Sequence, residues 1–161
     1  NLTPRPALPA EQLDRLTPLG HEQAAETGRA LAARGPVLIL TSPAGRARES
    51  ADEIRQAVGA TPVRVEPRVR PQGDDEPAEA VGARVLEAIR AEGGRHRGKA
   101  IVVVAHSEVI GALLALARRD AAAAPSMSSV RNGSVSLVEL DGEGRPEVVF
   151  SDRLADELPP P

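Results

Sequence analysis

The stretch that most constrains the fold is KAIVVVAHSEVIGALLALAR, residues 99–118. Ala100 to Val104, followed by Ala105, is an unbroken apolar run with no polar position in it. A strand of that kind is covered on both faces, as in a parallel sheet flanked by helices. His106 and Ser107 end the run at once, and Val109, Ile110, Leu113, Leu114 and Leu116 then recur at helical spacing. The pattern predicts a buried strand, a sharp polar turn, and a helix starting directly after it. At such a junction the strand fixes the polar side chains, and the free N–H groups of the first helical turn attract anions. His106 is therefore either a chemical group or a histidine that satisfies hydrogen bonds at a strand end. This stretch alone leaves both open.

The rest of the chain repeats the alternation. Residues 1–15 carry Pro4, Pro6 and Pro9 with almost no apolar periodicity, so an irregular segment is expected. Thr17 can cap a helix with Pro18 in its first turn, Ala24, Ala25, Gly28, Leu31 and Ala32 on its buried face, and Gly35-Pro36 as its stop. Val37–Leu40 is a short apolar strand ending at Thr41-Ser42-Pro43. Ala47, Ala51, Ile54 and Val58 mark the next helix, closed by Gly59. Val63–Val65 is a brief strand near an edge, and residues 66–77 are a polar loop. A third helix runs from Glu76 or Ala78 to about Ala91, before Gly93-Gly94 and the basic patch Arg95-His96-Arg97. Beyond the central strand and helix, residues 121–129 are a low-complexity connection. Val135–Glu139 alternates as a strand, Asp141–Gly144 is a hairpin turn, and Val148–Phe150 returns. The prolines at 159–161 predict a disordered tail over residues 155–161.

Strands alternating with helices, then an antiparallel hairpin, make this a single α/β domain over residues 1–154. The expected architecture is a three-layer α/β/α sandwich with a mostly parallel sheet. A chain of 161 residues that is 41% apolar can build the core. Phe150 is the only aromatic residue, so no platform exists for stacking single-stranded bases. Net charge is −3 with the basic residues spread along the chain, which speaks against nucleic acid as a partner. Cysteine is absent, which excludes disulfides, a thiolate nucleophile and cysteine metal sites. No apolar run approaches a membrane span, and no signal peptide is visible, so a cytoplasmic protein with no membrane partner is expected. No metal cluster or cofactor motif is evident, and none is expected. Lys99 is the only lysine, a bias that suits a GC-rich bacterial genome.

Ligands in such sheets bind at the carboxyl ends of the strands. Two strand ends carry polar groups, Thr41-Ser42 and His106-Ser107, with Arg46 and Arg48 just past the first. One histidine and at least one arginine meeting across neighbouring strands would form a phosphate pocket.

Four stretches together resemble the histidine phosphatase, or phosphoglycerate mutase-like, family: LTPLGHEQAAETGRAL (16–31), TSPAGRARESA (41–51), VVVAHSEVIGALL (102–114) and NGSVSLVEL (132–140). The resemblance covers nearly the whole chain in order and spacing. It implies that Arg46 holds the transferring phosphoryl group and that His106 is the family's second active-site histidine, lying beside that group. Arg48 is the surface arginine of the pair. Ser107 stands where glycine is usual, and its backbone N–H still serves phosphate binding. Glu108 either reaches the substrate or is a solvated residue of the first helical turn, the reading favoured here.

Two departures matter. The family's nucleophile is a histidine in an Arg-His-Gly motif at the end of a first strand, and this sequence contains no such motif. His21 falls at a helix start and His96 in a polar linker, so neither replaces it. Asn1 stands fifteen residues before Leu16, a spacing that fits the family's phosphate-binding asparagine. The expectation is that the sequence begins just after the nucleophile strand. The second departure is the general acid: Pro71 falls about where the family has glutamate. Asp74, Asp75 and Glu76 are the candidates, set against a solvated acidic loop before a helix. The implied activity is metal-independent hydrolysis of a small phosphorylated molecule through a phosphohistidine, with a mutase disfavoured by the short loop over the site. The alternative is a catalytically silent phosphate-ester binding module.

Overall fold

The computed structural model describes residues 14–118 and 130–161. Asn1 and the connection at 121–129 lie outside them. Helix α1 (Pro18–Ala32) starts as its sequence dictates: the Thr17 hydroxyl accepts the Gly20 N–H at 3.1 Å and Pro18 occupies the first turn. Strand β1 (Leu38–Thr41) is buried at all four positions. Helix α2 (Gly45–Val58) follows it, then the edge strand β2 (Val63–Val65). Helix α3 (Ala78–Arg95), strand β3 (Ile101–Val104) and helix α4 (Ser107–Arg118) complete the parallel part. β1 is its centre, paired in parallel with β2 on one side (Ile39 opposite Val63) and β3 on the other (Thr41 opposite Val104).

Two apolar clusters cover the two faces of this sheet. Leu31, Ile39, Ala51 and Ile54 pack with Val102 and Val104 under α1 and α2. Val81, Val85, Leu86, Val109 and Leu113 pack with Val103 and Ala105 under α3 and α4. The alternation of Val102, Val103 and Val104 between the clusters is the period of a strand buried on both faces. The three-layer α/β/α arrangement read from the sequence is therefore the observed one. Gly28 allows the close approach of α1 to α2: a Cβ there would stand 2.8 Å from the Ala57 Cβ and 2.9 Å from the Ile54 Cα.

The hairpin of β4 (Val135–Leu140) and β5 (Pro146–Arg153) is antiparallel and longer than expected on its return strand. Asp141 organises its turn by accepting the N–H groups of Glu143 and Arg145, both at 2.8 Å. α3 also outruns expectation, passing through Gly93-Gly94 to Arg95. A Cβ at Gly93 would lie 3.0 Å from the Leu140 Cδ1, so glycine admits the hairpin against the helix. The C-terminal residues are docked rather than disordered. Glu157 accepts the Leu154 N–H at 2.8 Å and pairs with Arg131 at 2.7 Å, Leu158 joins the α1–α2 cluster, and Arg34 donates to the Pro159 carbonyl. Prolines remove donors but leave carbonyls free to accept, so a proline-rich end can still be tied down.

Among the described residues, β3 pairs only with β1, and β4 only with β5. The sheet is thus split in two. A cavity of roughly 1570 Å³ is lined along one side by the whole of β3 and along another by the whole of β4, and it reaches Arg46, His106 and Ser107. All four β3 positions are half-buried, where those of β1 are buried. Among the described residues no helix is long and apolar enough to cross a membrane.

Candidate active site

The site forms because β1 and β3 are parallel neighbours, which brings their carboxyl ends side by side. The ladder extends one residue further, with Ser42 N–H donating to the Val104 carbonyl at 3.0 Å. Past it, both strand ends turn buried polar side chains toward each other. The His106 Nε2 lies 2.8 Å from the Ser42 Oγ, and Nδ1 lies 3.2 Å from the Arg46 Nη2. A guanidinium offers only donors, so Nδ1 is the acceptor and the ring proton sits on Nε2, donating to Ser42. The imidazole is therefore neutral. Burial first, and then the Arg46 charge, hold its pKa below the ordinary 6.5, against the smaller opposing pull of Glu108 and Asp14.

That shift fixes a pH dependence. The unfolded chain takes up the His106 proton near pH 6.5, whereas the folded protein resists it. The stabilisation from neutral His106 is complete above this range and is lost as pH falls from 6.5 through the lower folded-state pKa. Denaturant unfolding between pH 7 and 5 should show stability falling with acid, and the slope should shrink in His106→Gln.

Arg46 is the second residue of α2, and its guanidinium spans from Asp14 (Nη1 to Oδ1, 2.9 Å) to His106. Arg48, one helical step away, is exposed. Ser107 opens α4, whose first helical bond runs from the Ile110 N–H to the His106 carbonyl. The N–H groups of residues 107–109 are thereby left outside the helical ladder, as at any helix start. Glu108 is half-buried, lines the cavity and lies 3.3 Å from the Ser107 Oγ, so it is not the freely solvated residue favoured from the sequence.

The acid candidates separate. Asp74 and Asp75 form an exposed turn. Glu76 accepts from Arg84 (2.7 and 3.0 Å), Arg70 (2.9 and 3.2 Å) and the Gly73 N–H. The Arg84 hydrogen bonds above all, with Gly73 and Arg70, pull its pKa down to about 2, so it stays ionised and is corrected here from acid candidate to loop anchor. Arg84 also donates to the carbonyls of Arg68, Arg70 and Pro71, so residues 68–76 are an ordered loop rather than a solvated one. The other histidines stand elsewhere: His21 Nδ1 is 2.9 Å from Glu53 between α1 and α2, and His96 ends α3, 3.7 Å from Glu92.

Sequence reasoning missed two contacts. Ser42 was legible only as a polar strand end, not as the partner of Nε2. Asp14 lay in a segment read as irregular, where no local pattern marks a residue that acts at the start of a helix 31 positions later.

The profile of the histidine phosphatase superfamily (branch 1) matches residues 12–72 and 67–153. The chain belongs to the histidine phosphatase superfamily. Solved structures with the same fold include Bacillus stearothermophilus YhfR (24% identity, TM-score 0.75, covering 86% of this chain and 85% of that one). Another is a mycobacterial glucosyl-3-phosphoglycerate phosphatase solved with VO3 (25% identity, TM-score 0.72, 87% of each chain). A third is the phosphoserine phosphatase of Entamoeba histolytica in complex with 3-phosphoglyceric acid (16% identity, TM-score 0.73, 89% of this chain and 87% of that one). No curated protein sequence matches the chain. Family and neighbours together support a phosphatase-type function.

Proposed function

We propose that the protein is a phosphomonoester hydrolase of the histidine phosphatase type, acting on a small phosphorylated molecule through a phosphohistidine. The observation that carries this reading is the 3.2 Å approach of the Arg46 fork to His106 at adjacent strand ends. Arg46 binds two equatorial phosphoryl oxygens through its planar fork. His106 lies beside them, and an arriving phosphate dianion favours its protonated form, which adds a donor to the developing charge. The N–H groups at the start of α4, Ser107 among them, point at the same charge. The nucleophile in this reading is a histidine, which a strand added between β3 and β4 would carry. The split sheet and the cavity along both unpaired edges support that place for it. The histidine attacks phosphorus in line, the leaving alcohol takes a proton from an acid, for which Asp74 and Asp75 remain, and water then cleaves the phosphohistidine. The scheme uses no metal and no cofactor. The short Arg84-anchored loop over residues 68–76 favours a phosphatase over a mutase, which must retain its intermediate.

A second reading has its own support. The chain's three histidines are His21, His96 and His106, and neither of the first two joins Arg46. A phosphate-ester binding module without turnover fits that inventory. Incubation with an aryl phosphate separates the two. Turnover with an acid-labile phosphohistidine is the expected result for the enzyme, and phosphate binding with neither supports the silent module. Absence of phosphate binding would overturn both.

A further inference from the structure

We propose that Asp14 is a positioning residue for Arg46: its carboxylate clamps one edge of the guanidinium to the start of α2 and so turns the other edge toward His106. Its value for phosphate recognition rests on the reading above, whereas the clamp is read directly from the geometry.

Three observations converge on it. The first is the double contact. Oδ1 accepts from Arg46 Nη1 at 2.9 Å, and Oδ2 accepts from the Gly45 N–H at 2.7 Å. One carboxylate thereby joins a side chain to the helix end that bears it. The second is the cap of α2. Ala44 holds the N-cap position with φ −63° and ψ 141°, yet has no side chain to cap with. Asp14 supplies the missing acceptor from a remote segment, and its negative charge suits the helix start. The third is the fit at Gly45. A Cβ there would lie 2.6 Å from the Asp14 carbonyl oxygen and 3.0 Å from Oδ2, so any larger residue would push Asp14 away.

The segment that carries Asp14 is itself anchored on α2. Arg15 pairs with Glu49 at 2.9 Å, and the Leu16 N–H donates to the same carboxylate at 2.7 Å. The clamp is thus held from behind. An arginine has several rotatable bonds, and holding one edge of its fork reduces the freedom a bound phosphate must freeze. Asp14 occupies Nη1, and Nη2 is the atom that faces the His106 ring.

The test uses the full chain and inorganic phosphate. The Arg46 side-chain N–H signals should exchange slowly in the wild type and broaden in Asp14→Ala. The phosphate Kd should rise about tenfold in Asp14→Ala, as for a lost charge-assisted hydrogen bond in an organised site. Adding Ala44→Ser to Asp14→Ala restores an N-cap, because Ala44 already has cap-like dihedrals. That double variant should recover the melting temperature but not the phosphate affinity. Recovery of both would make Asp14 a helix cap only and overturn the proposal. So would an Arg46 signal that Asp14→Ala leaves unchanged, or a phosphate Kd that stays the same or falls. If Arg46→Ala leaves phosphate binding intact, it is the phosphate-site reading that fails, and the Arg46 signal alone decides the clamp.

Discussion

Arg46→Ala should lower aryl phosphate hydrolysis by about a thousandfold, because a group that meets the transferring charge at two points is lost together with its positive charge. The effect belongs in kcat as well as KM, since charge on the equatorial oxygens grows toward the transition state. Arg46→Lys should recover only part of the activity, as an ammonium keeps the charge but not the fork. If the protein binds without turning over, the same variant should abolish saturable binding of inorganic phosphate. In either case the melting temperature should barely move, because Arg46 is 42% exposed and its ion pair with Asp14 is open to solvent. Steady-state kinetics, or calorimetric titration with phosphate, reads the outcome.

Ile39→Ala should cost about 3–4 kcal/mol, near the upper part of the range for buried aliphatic truncation. Ile39 is fully buried in β1, which among the described residues is the one strand of the parallel sheet paired on both sides, and it packs under α1 and α2 with Leu31, Ala51 and Ile54. A melting midpoint lower by about 10 °C is the matching thermal result for a chain of this size. Val102→Ala makes the informative contrast. Val102 belongs to the same cluster but is half-buried on β3, beside the cavity, so roughly 1 kcal/mol is expected there. Equal costs at the two positions would mean that the edge of β3 is as well covered as the centre of β1.

Most of the fold was legible because its signals are local. The unbroken run Ala100–Val104 required cover on both faces, and Thr17-Pro18 marked a helix start. The pocket was legible in part for the same reason: Arg46 and His106 each sit just past a strand, and parallel strands bring their ends together. What escaped depends on contacts between distant segments. Nothing near Glu76 showed that Arg84, eight residues on, would hold it ionised. Nothing near Asp14 showed its place on Gly45 and Arg46. The docking of residues 155–161 turned on Arg131 and Arg34, neither of them a sequence neighbour. Among the described residues the parallel strands and the hairpin do not pair with each other, and no property of β3 or β4 alone announces that.

The most direct measurement of the Arg46–His106 pocket is a nuclear magnetic resonance titration of the His106 ring against pH, with and without inorganic phosphate. In the free protein His106 should titrate below its ordinary 6.5, with the proton on Nε2 in the neutral form. Saturating phosphate should shift the His106 signals and raise that pKa, and Arg46→Ala should abolish the response. A His106 ring that ignores phosphate, while phosphate binds elsewhere or not at all, would contradict the account.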